Sequence, residues 1–492
     1  MSMEQQSKTN ADSKQKSVLV IGGGIAGMEA ALNLAQFGAY VYLVEASPTI
    51  GGLMARLNKT FPTNDCSICI EAPKMYDIQR NPNIKLLTYT DIRRARFEAG
   101  KFRVRLVKKS RFVDEDKCKG CGKCIEVCPV TVPDEFDGKI GGVRKLISIP
   151  FPQAVPNVYF IDPNCRSGKL YGDAGGACIG GCDVDCIQCR ECQIAKCVIA
   201  CRAEGAEAVL LWGKDEPMDI EVDSIIIASG LETFKLPEGY FGYGLYDNVI
   251  RHLDYERLTN AGGPTLGEIK RPTDGKQPGT IMWVQCVGRD TKIGIPYCSK
   301  VCCMVAIKQS IITKEHDPEA KLMVLYKDIK TYGKDFYDFY LRAQSQGVKF
   351  MKGKLADVYE VPDTKNLLVT FEDLESGEIR VEEVELLVLS VPLYPSEKNK
   401  RLSKALKLDD DPATGFFLEP DQLSAPLEST VPGIFLCGGA LGPVDISESV
   451  TQAIAASLKA ISFESINIED NPQNIELDKP VTKNGAIKNE QL

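Results

Sequence analysis

The chain of 492 residues carries 59 Lys and Arg against 67 Asp and Glu, a net charge of -8, and 44% of its residues are hydrophobic. That is enough apolar material for a sizeable core, and the length fits two to four structural units. The pI near 5.3, with no clustered basic stretch, excludes nucleic acid as a partner, since nothing is placed to neutralise a phosphate backbone.

Residues 1–16, MSMEQQSKTNADSKQK, are polar and read as a frayed end without the apolar stretch or cleavage site of a signal peptide. No run of about 18 apolar residues follows, so no transmembrane segment is expected and the chain is placed in the cytoplasm. There the 19 Cys read as ligands for iron before disulfides. His252 and His316 are the only histidines, and each is expected at the surface.

Residues 17–110 open as strand SVLVIG, a glycine turn, helix MEAALNLAQFG and strand YVYLVEA. Gly22, Gly24 and Gly27 meet the Gly-x-Gly-x-x-Gly spacing. It permits a tight turn, close approach of backbone N–H groups to a pyrophosphate, and close helix-to-strand packing. Glu45, about 20 residues on, is placed to accept hydrogen bonds from ribose hydroxyls and disfavours a 2′-phosphate. A dinucleotide other than NADP is expected. Cys66 and Cys69, in FPTNDCSICIEAPKM, form a C-x2-C pair with three open readings: lining the nucleotide site, a redox dithiol, or metal ligands shared with a partner chain.

Residues 111–210 hold 12 of the 19 Cys and little helical periodicity, as expected of an insertion in which metal bonds replace a hydrophobic core. Cys118-x2-Cys121-x2-Cys124-x3-Cys128-Pro129 is the run of bacterial ferredoxins, in which three thiolates wrap one cubane and the fourth reaches another. Its partner run is Cys189-x2-Cys192-x4-Cys197-x3-Cys201. The crossed assignment gives one cluster Cys118, Cys121, Cys124 and Cys201, and the other Cys189, Cys192, Cys197 and Cys128. Cys165, Cys178, Cys182 and Cys186 remain, as a further cluster or as thiols with other roles.

Residues 211–275 return to a buried-strand pattern in VDSIIIASG and read as continuation and linker. Residues 276–390 read as a second β/α unit, whose strand TIMWVQ ends in Cys286 with no glycine fingerprint, so a pyridine nucleotide has no cradle there. Cys298-x3-Cys302-Cys303 follows. Two adjacent thiols cannot both enter a core without a reason, and a [4Fe-4S] cluster completed by Cys286 is the reading. In residues 391–470, GIFLCGGALG leads into helix SESVTQAIAASLKAIS, and this segment is expected to close on residues 17–110; Cys437 reads as packing. Residues 471–492 read as a flexible end.

Two stretches, EASPTIGG with Gly51 and Gly52 and GIFLCGGALGPVDISESVTQAIAAS with Gly438, Gly439 and Asp445, resemble the two-dinucleotide-binding flavoproteins. That resemblance implies FAD and an α/β, Rossmann-like, thioredoxin-reductase-like fold, here with an inserted ferredoxin-like domain. The ordered set VIGGGIAGMEAAL, FPTNDCSICIEAPKM, CKGCGKCIEVCPV, FPQAVP, GGPTLGEIKRPTDGK, VQCVGRDTKIGIPYCSKVCCMVAIKQS and FYLRAQSQGVKFMKG resembles the A-type subunit of heterodisulfide reductase, its flavin and iron–sulfur subunit. The A-type subunit of the quinone-interacting oxidoreductase, a membrane-associated complex, is a second match, though DCSICI is closer to the first.

The resemblance implies that Cys286, Cys298, Cys302 and Cys303 ligate the cluster beside FAD, and that Lys308 sits near the flavin N5 and tunes its charge. It implies an oxidoreductase with FAD and three [4Fe-4S] clusters, or a fourth. Its partners would be disulfide-reducing, iron–sulfur and electron-donating subunits around a homodimer, and its chemistry flavin-based electron bifurcation. The family's N-terminal cluster domain and C-terminal ferredoxin domain have no counterpart in these motifs. A cofactor-free scaffold for partner subunits is the rival reading.

Overall fold

The structure is a computed structural model and describes residues 15–128, 131–162, 194–210, 213–289 and 294–464. Cys165, Cys178, Cys182, Cys186, Cys189 and Cys192 lie outside the described residues.

Strands β1 (Ser17–Ile21) and β2 (Tyr40–Val44), with Ile84–Leu87, Ser224–Ile227 and Ile434–Leu436, are short runs rich in Val, Ile and Leu. Such runs suit a parallel sheet covered on both faces. They form one, in the order Ile434–Leu436, Ser224–Ile227, β1, β2, Ile84–Leu87. Three segments far apart in sequence thus share a single sheet, and β1 stands at its centre. Helix α1 (Ile25–Gln36) lies beside helix Ile446–Ser462, with Ala30, Ala31, Ala453, Ala456 and Ala460 buried at the contact. These small side chains let the backbones approach until Ser457 Oγ donates to the Ala30 carbonyl at 3.2 Å.

The second large sheet runs Val249–Arg251, Leu386–Leu389, Thr280–Val284, Lys321–Tyr326, Lys349–Glu360, Leu367–Asp373, Ile379–Val384. The first five strands are parallel, and the last two return antiparallel. Strand Val249–Arg251 and helix His252–Thr259 lie inside the stretch read as continuation and linker, yet the strand pairs with the second sheet. Every residue of that helix is buried, charged ones included. Its burial hides it from a reading based on apolar periodicity.

The cysteine-rich insertion is built from small pieces: hairpin strands Thr131–Pro133 with Val143–Lys145, Ile147–Ser148 with Phe160–Ile161, and helices Lys123–Glu126 and Ile194–Ala203. Its core includes Cys124, Cys128, Cys197 and Cys201 beside Phe112, Val132 and Ile147. It is fastened to both large units. Thr49 Oγ1 accepts from Val155 N at 2.9 Å, Arg56 Nε donates to the Phe136 carbonyl at 2.8 Å, and Arg257 Nε meets Asp137 at 2.6 Å. The architecture is therefore α/β, two Rossmann-like units with an inserted cysteine-rich unit. Among the described residues no helix is long and apolar enough to cross a membrane.

Candidate functional site

The glycine turn after β1 is held from both sides. Gly22 N donates to the Val44 carbonyl at 2.8 Å, and Glu45 accepts from Gly23 N and Ser47 N, each at 2.7 Å. A Cβ at position 27 would stand 1.8 Å from the Gly22 carbonyl oxygen, so only glycine lets α1 begin this close to β1. The Gly51-Gly52 loop then lies against the turn, with Gly51 N donating to the Gly23 carbonyl at 2.7 Å.

In front of the turn opens a cavity of about 920 Å³, within the range of small-molecule sites. Gly22, Gly24, Glu45, Gly52, Gly439 and Asp445 line it, whereas Gly27, Gly51 and Gly438 stand behind its wall. Two helices begin at its edge. The first turn of α1 contributes Ile25 and Ala26, and helix Ile446–Ser462 contributes Ile446 and Ser449. Asp445 caps the second helix, accepting from Glu448 N at 2.8 Å while the Glu448 carboxylate accepts from Asp445 N at 3.1 Å. The positive ends of both helix dipoles lie at the cavity edge, a setting that favours a bound anion. Glycine cradle, acid and paired helix N-termini fit FAD.

The opposite wall comes from the second unit: Arg251, His252 and Leu253 at the start of their helix, and Val301 and Val305. His252 corrects the expectation of a surface histidine. It is buried, its Nδ1 accepts from Val391 N at 3.2 Å, and burial pushes its pKa down to about 4, so it faces the cavity as neutral imidazole. His316 is exposed.

Lys308 lies one turn beyond Val305 on helix Cys302–His316 and is 1% exposed. Its Nζ donates to the Glu256 carboxylate at 2.8 Å and to the Lys59 carbonyl at 2.6 Å. Glu256 also accepts from Gln309 Nε2 at 2.6 Å and Asn58 N at 2.9 Å. A buried pair needs this surplus of hydrogen bonds to offset desolvation. The cation therefore sits behind the cavity wall, turned toward Glu256.

Cys302 and Cys303 directly follow the cavity residue Val301, and both are buried. Cys286 lies two residues beyond the end of strand Thr280–Val284, with a φ of 62°. Burial pushes its thiol up, and the neighbouring Cys303 and Cys298 thiols push it further. Cys298 Sγ accepts from Lys300 N at 3.4 Å. The structure thus brings all four thiols of this group to one neighbourhood beside the cavity.

In the insertion, burial and the nearby thiols of Cys118, Cys197 and Cys121 push Cys124 up to about 12. Cys197, which the crossed assignment gives to the other cluster, thus lies near Cys124. Cys197 and Cys201 share one face of helix Ile194–Ala203, four residues apart, and Cys201 Sγ accepts from Ala208 N at 3.2 Å. Among the described residues no three His, Cys, Asp or Glu side chains converge into a ready metal cage. The donor chemistry of both neighbourhoods, thiols alone, fits iron–sulfur clusters.

Cys66 and Cys69 are joined as a disulfide. Cys437 is wholly buried and pushed up to about 12 by burial, as an inert packing thiol is. The insertion's contribution to the cavity, Glu135, Phe136, Gly138, Arg144, Phe151 and Phe160, carries no signal in the spacing of its cysteines.

Residues 17–65 match the family of FAD dependent oxidoreductases, and residues 111–133 match the 4Fe-4S binding domain. The chain is 45% identical over 446 residues to the iron-sulfur A subunit of the CoB--CoM heterodisulfide reductase of Methanocaldococcus jannaschii, covering 90% of this chain and 63% of that protein. It is 44% identical over 445 residues to the A subunit of the H(2)/formate:CoB-CoM heterodisulfide,ferredoxin reductase of Methanococcus maripaludis, with the same coverage. This chain is a relative of the heterodisulfide reductase A subunits. It spans about 63% of their length. Thioredoxin reductases of Lactococcus lactis and T. acidophilum each align with 92% of this chain and with 100% and 99% of their own, at 12% identity and TM-scores of 0.47 and 0.48. The fold of this heterodisulfide reductase relative rests on its own strand order, and its two family segments fall on the two sites: the glycine turn with Glu45, and Cys118 to Cys128.

Proposed function

We propose that this chain is an FAD- and [4Fe-4S]-containing electron-transfer subunit of a heterodisulfide-reductase-like complex. It passes electrons between an electron-donating partner, iron–sulfur subunits and a disulfide-reducing subunit, around a homodimeric core in the cytoplasm, and it does so by flavin-based bifurcation. The observation that carries this reading is the junction at Val301: one residue lines the cavity and the next two are cluster-type cysteines. Cys286, standing where a nucleotide cradle would, together with Cys298, Cys302 and Cys303 would hold an iron–sulfur cluster, which would supply one-electron transfer to the cavity in place of hydride transfer.

Bound FAD supplies two-electron chemistry that can be divided into single electrons, and clusters carry single electrons. The chain's residues supply the setting. Gly22, Gly24, Gly52 and Gly439 keep side chains from the dinucleotide, Gly27, Gly51 and Gly438 let the elements behind the wall pack closely, Glu45 takes the ribose, and Asp445 orders the second helix N-terminus. Lys308, paired with Glu256 behind the cavity wall, would tune the charge of a bound flavin from there. Cys286, Cys298, Cys302 and Cys303 hold one cluster; the insertion holds two more, with Cys165, Cys178, Cys182 and Cys186 available for a fourth. In domain terms, residues 17–110, the 211–275 continuation through its strand Ser224–Ile227, and residues 391–470 form the flavin unit around the 111–210 insertion.

Anaerobic reconstitution of the full chain tests this. About one FAD and about twelve iron atoms per chain are expected, for three four-iron clusters. Cys303→Ala is expected to remove about four of them while FAD stays bound. Flavin without iron, or flavin reduced directly by NADH, overturns the reading. Potentiometric titration then checks the finer part, since bifurcation requires the flavin's two one-electron potentials in crossed order.

A further inference from the structure

One stretch of the cavity wall holds more positive than negative charge. Arg251 Nε lies 3.1 Å from the Asp254 carboxylate and Arg257 Nε 2.6 Å from Asp137, so these four charges cancel in pairs. Arg56, which ends the short helix Met54–Arg56 and lines the cavity, stands near both pairs. Its Nε donates to the Phe136 carbonyl at 2.8 Å, and no carboxylate pairs with it among the described residues. The other cations of the cavity differ: Arg144 binds Asp162, Lys235 binds Glu397, and Lys398 is exposed. Of the cavity's acids, Glu45, Glu232 and Asp445 accept hydrogen bonds from other groups, and Glu135 is exposed.

The insertion holds Arg56 in place. Its guanidinium lies 6.0 Å from the centre of the Phe136 ring, which stacks on Phe151 and carries Arg257 at 4.9 Å. Burial lowers the Arg56 pKa to about 10, which leaves it a cation at neutral pH. The terminal nitrogens of its fork have no partner among the described residues. A half-buried cation without a counter-charge is costly, and an anion in the cavity would offset that cost. The diphosphate of a dinucleotide is provided for elsewhere, at the Gly22–Gly24 turn and the start of α1. Arg56 belongs to the stretch that meets the second unit: Leu57 also lines the cavity, and Asn58 N donates at 2.9 Å to Glu256, the carboxylate that holds Lys308.

We infer that Arg56 supplies a positive charge to the flavin ring and stabilises the negative charge that the ring gains on reduction, a role that rests on FAD filling this cavity as proposed above. Two electrons from cluster iron and one proton turn a neutral oxidised ring into an anion. Arg56 acts on that anion by charge alone and gives up neither proton nor electron. Lys308 differs, because its Nζ is turned to Glu256 and the Lys59 carbonyl. Through the Phe136 carbonyl and ring, the insertion sets where the Arg56 charge stands.

Sulfite tests this in the oxidised full chain loaded with flavin and iron. Its sulfur lone pair adds to the flavin N5, a sulfur–nitrogen bond forms, and the ring becomes an anion with no reductant involved. The affinity of the adduct therefore reads the positive charge beside the ring, and loss of the flavin's visible absorbance follows it. Arg56→Gln is expected to keep the wild-type flavin-to-protein ratio and to weaken sulfite binding about tenfold, the order for one unit charge removed from a partly buried site. Arg56→Lys, which keeps a cation, is expected to recover most of that affinity. Equal sulfite affinity in the wild type and Arg56→Gln overturns the inference, as does Arg56→Lys no better than Arg56→Gln, or a wild type that holds flavin and forms no adduct. Arg56→Gln without flavin overturns it as well, because the charge would then serve the diphosphate or the fold. A wild type that takes up no flavin overturns the proposed function, and this role with it.

Discussion

Glu71 shows how a single residue can escape the sequence. In SICIEAPKMYDIQR it reads as an ordinary polar helix position, yet its surface is wholly buried and neither carboxylate oxygen has a hydrogen-bond partner among the described residues. Burial pushes its pKa up to about 9 from 4.5. The sign follows from linkage. Below about 4.5 the acid is protonated whether the chain is folded or not, and it costs nothing. As pH rises toward 9 the unfolded chain gives up the proton and the folded chain keeps it, so stability falls by about 1.4 kcal/mol per pH unit at most. Glu71→Gln removes this slope. Denaturation from pH 5 to 8 is expected to show the variant gaining steadily on the wild type as pH rises, and a constant difference would contradict the buried neutral acid. Lys308 is the opposite case, an equally buried side chain that has a partner, Glu256, at 2.8 Å. Neither the acid's isolation nor the lysine's pairing is visible in local sequence, because both depend on residues from other segments.

Elements were more legible where a local rule is strict. The strand, glycine turn, helix and acid of residues 17–45 could be read in order because each position has a separate steric or electrostatic demand, and Gly27 is the sharpest. Gly27→Ala places a methyl group 1.8 Å from the Gly22 carbonyl, which forces α1 away from β1. A loss of about 1–3 kcal/mol is expected, as for overpacked cores, together with a flavin-to-protein ratio well below that of the wild type. Absorbance of the purified variant and its thermal midpoint check both. Helix His252–Thr259 was not legible. Its Asp254, Glu256 and Arg257 suggest a solvated face, and the ion pairs Arg251–Asp254, Lys308–Glu256 and Arg257–Asp137, with the hydrogen bonds around them, make its burial tolerable.

At the scale of the whole molecule, the insertion is part of the flavin cavity as well as a home for clusters. Phe136 and Phe151 stack with centroids 5.0 Å apart, and Arg257 lies 4.9 Å over Phe136. Lys139 reaches the carbonyls of Tyr246, Asp247 and Val249. The thiols buried in the insertion's small core imply that metal supports its folding. Removing iron with a chelator is therefore expected to speed flavin release severalfold, measured by fluorescence of freed FAD. Asp137→Ala, which breaks the tie to Arg257, is expected to speed it too while leaving iron content unchanged. Flavin release indifferent to both would mean that the insertion carries clusters without closing the cavity.

The sequence by itself determined the features whose physics is local: the glycine turn before a helix, the acid at the next strand end, the ferredoxin spacing, and the missing nucleotide fingerprint at Cys286. Each is a demand on neighbouring residues, so spacing alone displays it. Only the tertiary structure decided which distant groups meet. It set Ile434–Leu436 beside Ser224–Ile227, Cys197 near Cys124, Glu256 against Lys308, and the 131–162 segment over the cavity. It also closed Cys66 onto Cys69. The physical reason is that burial and charge pairing are set by chain crossings, and a charged residue bears no local mark of the partner that lets it be buried.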